Sequence, residues 1–124
     1  MKTIGFLTLH DHCEEAQDLN DLIKSTRVYT YLDKIIEYLK LGHDFADTQL
    51  LLDDDEGKPM FGLGYQTDGE WIWPNYFPYY LKKYPNYEID KEFIEYLNEK
   101  SFLYTEPNES QRRKASDYFF SNIW

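Results

Sequence analysis

Apolar positions between residues 28 and 41 recur at a spacing of three to four, which predicts an amphipathic helix. The same spacing over residues 89–102 predicts the clearest helix of the chain, with Asp90 as its N-cap. Less regular patterns predict three more helices, over residues 13–23, 75–83 and 109–120. Pro78 is compatible with the second of these only in the first turn, where no intrahelical N–H is needed.

Three shorter apolar runs, at residues 48–52, 60–66 and 70–73, are separated by turn residues and predict an antiparallel meander. The apolar segment 3–9 fits either a strand or the lead into the first helix. Helices, a small sheet and further helices follow one another along the chain. This order predicts an α+β fold, with a three-stranded antiparallel sheet at about residues 48–73 packed with four to five helices.

The length of 124 residues suits one domain spanning residues 1–124, and the 42% hydrophobic content is enough for a core. Aromatic residues make up 19% of the chain, and twelve of them are Tyr. Because Tyr carries a hydroxyl, much of this aromatic surface can lie half buried at the boundary of the core.

The formal net charge of −10 repels phosphates, so neither nucleic acid nor an anionic membrane surface is expected as a partner. The same field attracts a basic protein, although acidity that only maintains solubility is the alternative. No apolar run has the length of a membrane span, and the N-terminal stretch is too short for a secretory signal. A single cysteine, Cys13, permits no intrachain disulfide. We therefore expect a cytoplasmic protein.

The N-terminal run His10, Asp11, His12 and Cys13 contains only residue types that can ligate a metal. A site needs three or four converging ligands, and His43 is the only other histidine, so a polar N-terminal cap is favoured. Cys13 as a nucleophile would need a well-placed base, and its neighbour His12 is poorly placed for that role. No catalytic residue, metal or cofactor is expected.

The segment 44–56 contains six carboxylates and no Lys or Arg. Its last four residues, 53–56, are all acidic, and each close pair of like charges repels by about 1 kcal/mol even in water. A hairpin tip with this sequence is therefore expected to stay solvated. It is either a simple solvated loop or an anionic finger that meets Lys or Arg of a partner.

Residues 67–84 contain two Trp, four Tyr and one Phe, together with two Pro. Trp and Tyr are enriched at binding hot spots, and Asp68 and Glu70 lie beside Trp71, where a basic side chain can meet both carboxylate and ring. Alternatively, Trp71 and Trp73 form a platform on which a sugar stacks. We expect most of these rings to lie in the core, because each buries a large area.

The pattern Asp68-Gly69-x-Trp71-x-Trp73-Pro74, followed by YFPYYLKKY, resembles small acidic bacterial proteins. Several of these are immunity proteins of polymorphic toxin systems, including contact-dependent growth inhibition. The resemblance covers about residues 61–97 and implies a cytosolic, non-enzymatic inhibitor of one toxin domain, often a nuclease. It assigns no toxin contact to any particular residue. A nuclease must hold phosphates and is therefore basic, which agrees with an acidic inhibitor.

The sequence thus favours a non-enzymatic immunity protein that binds and neutralises a cognate basic toxin domain, with a nuclease as the expected class. The alternatives are a small carbohydrate-binding or hydrolytic domain, and an acidic adaptor or DNA mimic with carboxylates spaced like phosphates. The candidate partner-binding residues are Asp53, Asp54, Asp55, Glu56, Asp68, Glu70 and Trp71.

Overall fold

The computed structural model describes residues 1–124 as five helices and one four-stranded sheet. The predicted α+β class is confirmed. None of the helices combines the length and the apolar character needed to cross a bilayer. The elements in chain order are β1 (Lys2–Thr3), α1 (Leu19–Leu22), α2 (Leu32–Lys40), β2 (His43–Asp53), β3 (Pro59–Thr67), β4 (Trp71–Pro74), α3 (Phe77–Lys83), α4 (Lys91–Glu99) and α5 (Glu109–Asn122).

The sheet has the strand order β1-β4-β3-β2 and is mixed rather than purely antiparallel. Strands β2, β3 and β4 form the predicted antiparallel meander. The prediction of three strands is wrong because Lys2–Thr3 adds a fourth, which pairs in parallel with β4. The possible strand over residues 3–9 is present only at Thr3, and a strand of two residues is too short to show a period of two in the sequence. Strand β2 also begins at His43, five residues before its predicted start at Thr48.

The sheet lies between α5 on one face and α2 and α4 on the other. Tyr65 and Gln66 are adjacent on β3 and therefore point to opposite faces. The ring of Tyr65 lies 4.5 Å from Phe119 of α5. Gln66 accepts a hydrogen bond from the indole N–H of Trp73, which also reaches a carbonyl of α2. Phe93 of α4 packs 6.4 Å from the same indole ring.

One cluster of 24 buried hydrophobic residues forms the core. Five of the seven aromatic residues in segment 67–84 belong to it, which confirms that this stretch is mainly structural. These five residues are Trp71, Trp73, Tyr76, Phe77 and Tyr80.

Four helices are shorter than the sequence predicts. Helix α4 spans Lys91–Glu99 instead of residues 89–102, and α3 begins two residues later than predicted. Helix α1 occupies only Leu19–Leu22, because the N–H of Gln17 donates to the carbonyl of Phe6 and holds the preceding residues against the N-terminal segment. Helix α2 begins at Leu32 rather than at residue 28, and Val28 is 91% exposed. The apolar spacing continues beyond the residues of α2 that pack against the core, so the predicted helix was too long.

Two predicted signals at helix starts are confirmed. Pro78 lies in the first turn of α3. The side chain of Asp90 caps α4 by accepting a hydrogen bond from the N–H of Glu92 at 2.9 Å. Asn108 and Gln111 form a reciprocal capping box at the start of α5, which was not predicted. The sequence therefore indicated the cap of α4 but not that of α5.

Candidate functional site

The four consecutive carboxylates at residues 53–56 form the tip of the β2–β3 hairpin, but they do not share one environment. Asp54 is only 5% exposed, whereas the other three are exposed. Its Oδ1 atom accepts hydrogen bonds from the N–H groups of Glu56 at 2.8 Å and Lys58 at 2.9 Å. Asp54 therefore closes the turn from the inside.

Lys83 of α3 neutralises part of this tip. Its Nζ atom lies 3.0 Å from Oδ2 of Asp54, 2.7 Å from Oδ1 of Asp55 and 2.6 Å from Oε1 of Glu56. These three carboxylates lie close enough together for one cation to contact them all. The ammonium group of Lys83 takes that place, and it joins the hairpin tip to α3.

The pKa values of Asp54 and Lys83 follow from this arrangement. Burial acts to raise the pKa of Asp54, but hydrogen bonds from the Tyr79 hydroxyl, the Lys58 N–H and Lys83 outweigh it and hold the pKa well below 3.8. Burial acts to lower the pKa of Lys83, but its hydrogen bonds to the three carboxylates hold it well above 10.5. The expectation that the whole tip stays solvated is therefore wrong for Asp54.

The turn between β3 and β4 contains a second buried carboxylate, Asp68, which is 5% exposed. Its Oδ1 atom accepts hydrogen bonds from the N–H groups of Glu70 and Trp71, each at 2.9 Å. Its Oδ2 atom accepts hydrogen bonds from the hydroxyls of Tyr38 at 2.5 Å and Tyr96 at 2.7 Å. Burial, and next to it the charge and hydrogen bond of Asp68, raise the pKa of both tyrosines.

Glu70 is the only exposed residue among the three candidates in this turn, and it lies among cations. It lines an open cleft of about 380 Å³ together with Glu99 and Lys100. On its other side it shares a hollow of about 400 Å³ with Lys2 and Lys114. The surface around Glu70 therefore carries both signs of charge and is not a negative patch.

The two candidate patches lie at opposite ends of β3. The tip at residues 53–56 precedes Pro59, and the turn at residues 68–70 follows Thr67. Nine residues of strand rise about 3.3 Å each, so the two turns are separated by roughly 26 Å. They cannot act as one compact patch.

Both Trp rings of the alternative sugar platform are buried. Trp71 is 3% exposed and Trp73 is 0% exposed. Trp71 packs against Phe93 with their ring centroids 5.0 Å apart. Neither ring has a free face on which a sugar can stack, so the stacking platform is excluded, and Trp71 is not available as an exposed contact residue.

The N-terminal run of possible metal ligands also forms a structural cluster. Asp11 is buried and accepts hydrogen bonds from the hydroxyls of Tyr65 at 2.6 Å and Tyr76 at 2.5 Å. His10 is hydrogen-bonded at 2.7 Å to a tyrosine of α3. Burial, followed by nearby carboxylates, raises the pKa of Cys13 to about 11, so its thiol stays protonated at neutral pH.

Sequence reasoning singled out Asp11, Asp54 and Asp68 as possible ligand or contact residues, but it missed their burial and their tyrosine partners. Asp54 and Asp68 each begin a turn and accept an N–H from two residues onward, which is the local bond expected of an Asp at a turn. Each turn also contains a glycine at positive φ, Gly57 at 80° and Gly69 at 101°. An Asp shortly before such a glycine was the available signal.

The remaining exposed carboxylates of the hairpin lie along β2. They are Asp44, Asp47 and Asp53, all exposed, and no ion pair in the structure involves any of them. Together with Asp55 and Glu56, which are exposed residues but pair with Lys83, they make five acidic residues on the surface of one hairpin. We refer to these five residues as the acidic hairpin surface.

Comparisons with family models, curated proteins and solved structures found no match for this chain. The resemblance to immunity proteins therefore rests on the motif within residues 61–97. In the structure, that motif supplies mainly core residues and one turn.

Proposed function

We propose that the protein is a non-enzymatic inhibitor that binds a cognate basic toxin domain and neutralises it in the cytoplasm, as an immunity protein does. A nuclease is the leading toxin class, because an enzyme that holds phosphates presents a basic surface. The observation that carries this proposal is the acidic hairpin surface, in which five acidic residues are exposed and three of them have no ion pair.

The hairpin is suited to present these charges in a defined geometry. Its tip is held to α3 through Lys83, which contacts Asp54, Asp55 and Glu56. Of the four charged groups in that cluster, three are negative and one is positive, so the cluster keeps a net charge of −2. A held negative surface accelerates encounter with a basic partner and loses less entropy on binding than a mobile loop does.

The engagement of the buried acidic groups also favours binding over catalysis. Asp11, Asp54 and Asp68 all hold tyrosine hydroxyls inside the protein. The thiol of Cys13 is protonated at neutral pH, because burial and nearby carboxylates raise its pKa to about 11. These three carboxylates and this thiol are thus committed to structural bonds or held in the unreactive form, which supports a binding role rather than a catalytic one for them.

The test is a charge reversal on the hairpin, matched by an equal reversal elsewhere. The hairpin variant combines Asp44→Lys, Asp47→Lys and Asp53→Lys. The control combines Asp33→Lys, Glu37→Lys and Asp117→Lys, which are also exposed and free of ion pairs. Both variants change the net charge by the same amount, and only the location differs.

Association with the toxic domain encoded in the neighbouring reading frame is measured at several salt concentrations, together with growth rescue of cells that express it. We expect the hairpin variant to associate about tenfold more slowly at low salt and to show a flatter salt dependence than the control. Equal behaviour of the two variants would show that the hairpin is not the contact surface. Failure of the wild-type protein to bind or rescue would refute the proposed function.

A further inference from the structure

The outer edge of β2, which we define by residues 44–53, is unpaired. Strand β2 is the last strand of the sheet, so only β3 lies beside it. No backbone hydrogen bond outside the regular helices and strands involves residues 44–53. The one further bond to this backbone is local, from the N–H of Leu50 to the hydroxyl of Thr48 at 3.1 Å. The edge thus offers backbone donors and acceptors to an incoming strand.

This edge also exposes large apolar side chains. Leu50 is 57% exposed and Leu51 is 86% exposed, although both lie within the strand. Their neighbour across the hairpin, Phe61 of β3, is 38% exposed. Exposed leucines on an edge strand invite pairing with another chain, and most proteins protect such edges with charged residues or bulges.

The charges on β2 all have the same sign, so they favour a basic incoming strand over an acidic one. Asp44, Asp47 and Asp53 are exposed, and the segment 43–57 contains no Lys or Arg. A second copy of this edge would bring like charges together, which destabilises strand pairing. A basic strand meets no such repulsion and is attracted.

We propose that the outer edge of β2 receives an extended, basic strand of the partner protein, which joins the sheet by strand addition. Main-chain hydrogen bonds supply the pairing, the apolar side chains of the incoming strand cover Leu50 and Leu51, and its Lys or Arg side chains meet the three aspartates. The identity of the partner rests on the proposed function, whereas the docking edge is a property of this chain alone.

The experiment uses a synthetic peptide of about eight residues with alternating Lys and Val, long enough to pair along a typical strand. Binding to the full-length protein is measured by fluorescence anisotropy, and the site by hydrogen exchange. The test variant is Leu50→Lys with Leu51→Lys. The control is Val28→Lys with Leu103→Lys, which adds the same charge at two other exposed apolar positions.

We expect amides within residues 44–53 to exchange more slowly when the peptide is bound. The test variant should bind about tenfold more weakly than the control, because it loses the apolar contact and adds repulsion at the docking edge. All four substituted positions are exposed, so both variants should retain the fold, and circular dichroism checks this. Equal weakening in both variants would leave only general charge attraction and would overturn the proposal.

Two other outcomes would also overturn it: peptide-induced protection confined to another part of the chain, or concentration-dependent dimerisation that protects β2 without peptide. The toxin assay separates this proposal from the proposed function. If Leu50→Lys with Leu51→Lys still neutralises the toxin at wild-type strength, the docking edge is wrong and the function stands. If the peptide binds β2 as expected but no toxin is neutralised, the edge stands and the function fails.

Discussion

The two turns of the meander are built on the same local arrangement but differ in how their charge is balanced. Asp54 in the first turn and Asp68 in the second each accept two backbone N–H groups on Oδ1 and two side-chain donors on Oδ2. One of the donors to Asp54 is the ammonium group of Lys83. Both side-chain donors to Asp68 are tyrosine hydroxyls, and Lys100 acts only through these hydroxyls, with its Nζ atom 2.9 Å from that of Tyr38 and 3.4 Å from that of Tyr96.

The difference shows that acidity in this chain has two separate uses. Buried aspartates hold the turns to the helices, and their charge is satisfied internally by hydroxyls, N–H groups or an ammonium group. Exposed aspartates on β2 have no such partners and give the hairpin its outward negative charge. The charge of Asp68 is stabilised by hydrogen bonds alone, so each of them matters, whereas the charge of Asp54 is also stabilised by direct contact with a cation.

The largest expected effect is at the second turn. Asp68→Ala removes the acceptor for four donors beneath the protein surface, and donors left unpaired cost far more than an average hydrogen bond gains. We expect a loss of about 3 kcal/mol in the free energy of unfolding, measured by urea denaturation. Asp68→Asn keeps the shape and serves as the milder variant. A loss below about 1 kcal/mol for the Ala variant would show that water satisfies these donors.

A direct comparison of the two lysines tests the difference in charge balance. Lys83→Met leaves three neighbouring carboxylates without their cation, so the tip should loosen. Lys100→Met removes a cation that reaches Asp68 only through two tyrosine hydroxyls, so the second turn should change less. Hydrogen exchange of amides 54–59 in the first variant is compared with that of amides 67–71 in the second. If amide exchange is accelerated equally in the two variants, or more in Lys100→Met, the distinction between direct and indirect neutralisation is wrong.

Local signals in the sequence predicted most of the framework. The meander, the cap at Asp90 and the first-turn position of Pro78 all depend on residues a few positions apart. The two-residue strand Lys2–Thr3 was not predictable in this way, because its partner β4 lies about 70 residues later in the chain. The helix predicted from periodicity at α1 was also too long, because the apolar pattern carries no information about the hydrogen bond between Gln17 and Phe6.

The sequence predicted only part of the candidate site, for a related reason. The clustering of carboxylates in segment 44–56 is visible in the sequence, and it located the acidic hairpin surface. The burial of Asp54 depends on Tyr79 and Lys83, which are 25 and 29 residues away in the chain. Asp68 likewise depends on Tyr38, 30 residues earlier. No local pattern distinguishes an aspartate that meets a distant hydroxyl from one that meets water.

The smallest expected effect is a change in pH dependence at the tip. Hydrogen bonds hold the pKa of Asp54 below its ordinary 3.8 in the folded protein. A lowered folded pKa means that the contribution to stability is complete above the unfolded value and is lost as the pH falls through the folded value. Asp54→Asn removes this contribution. The stability gap between wild type and this variant should therefore be full at neutral pH and should shrink below about pH 4.

Tyr79→Phe sharpens this prediction, because the Tyr79 hydroxyl makes the largest of the contributions that lower the pKa of Asp54. Without that hydroxyl, the folded pKa should rise towards 3.8 and the acid-dependent part of the stability should become smaller without disappearing. Urea midpoints of the three proteins, measured at several pH values from about 7 to 2.5, give the comparison. If the difference in stability between wild type and Asp54→Asn stays constant over this range, ionisation of Asp54 does not stabilise the folded protein. The tip would then be held by its shape and by neutral hydrogen bonds, which a carboxamide can also form.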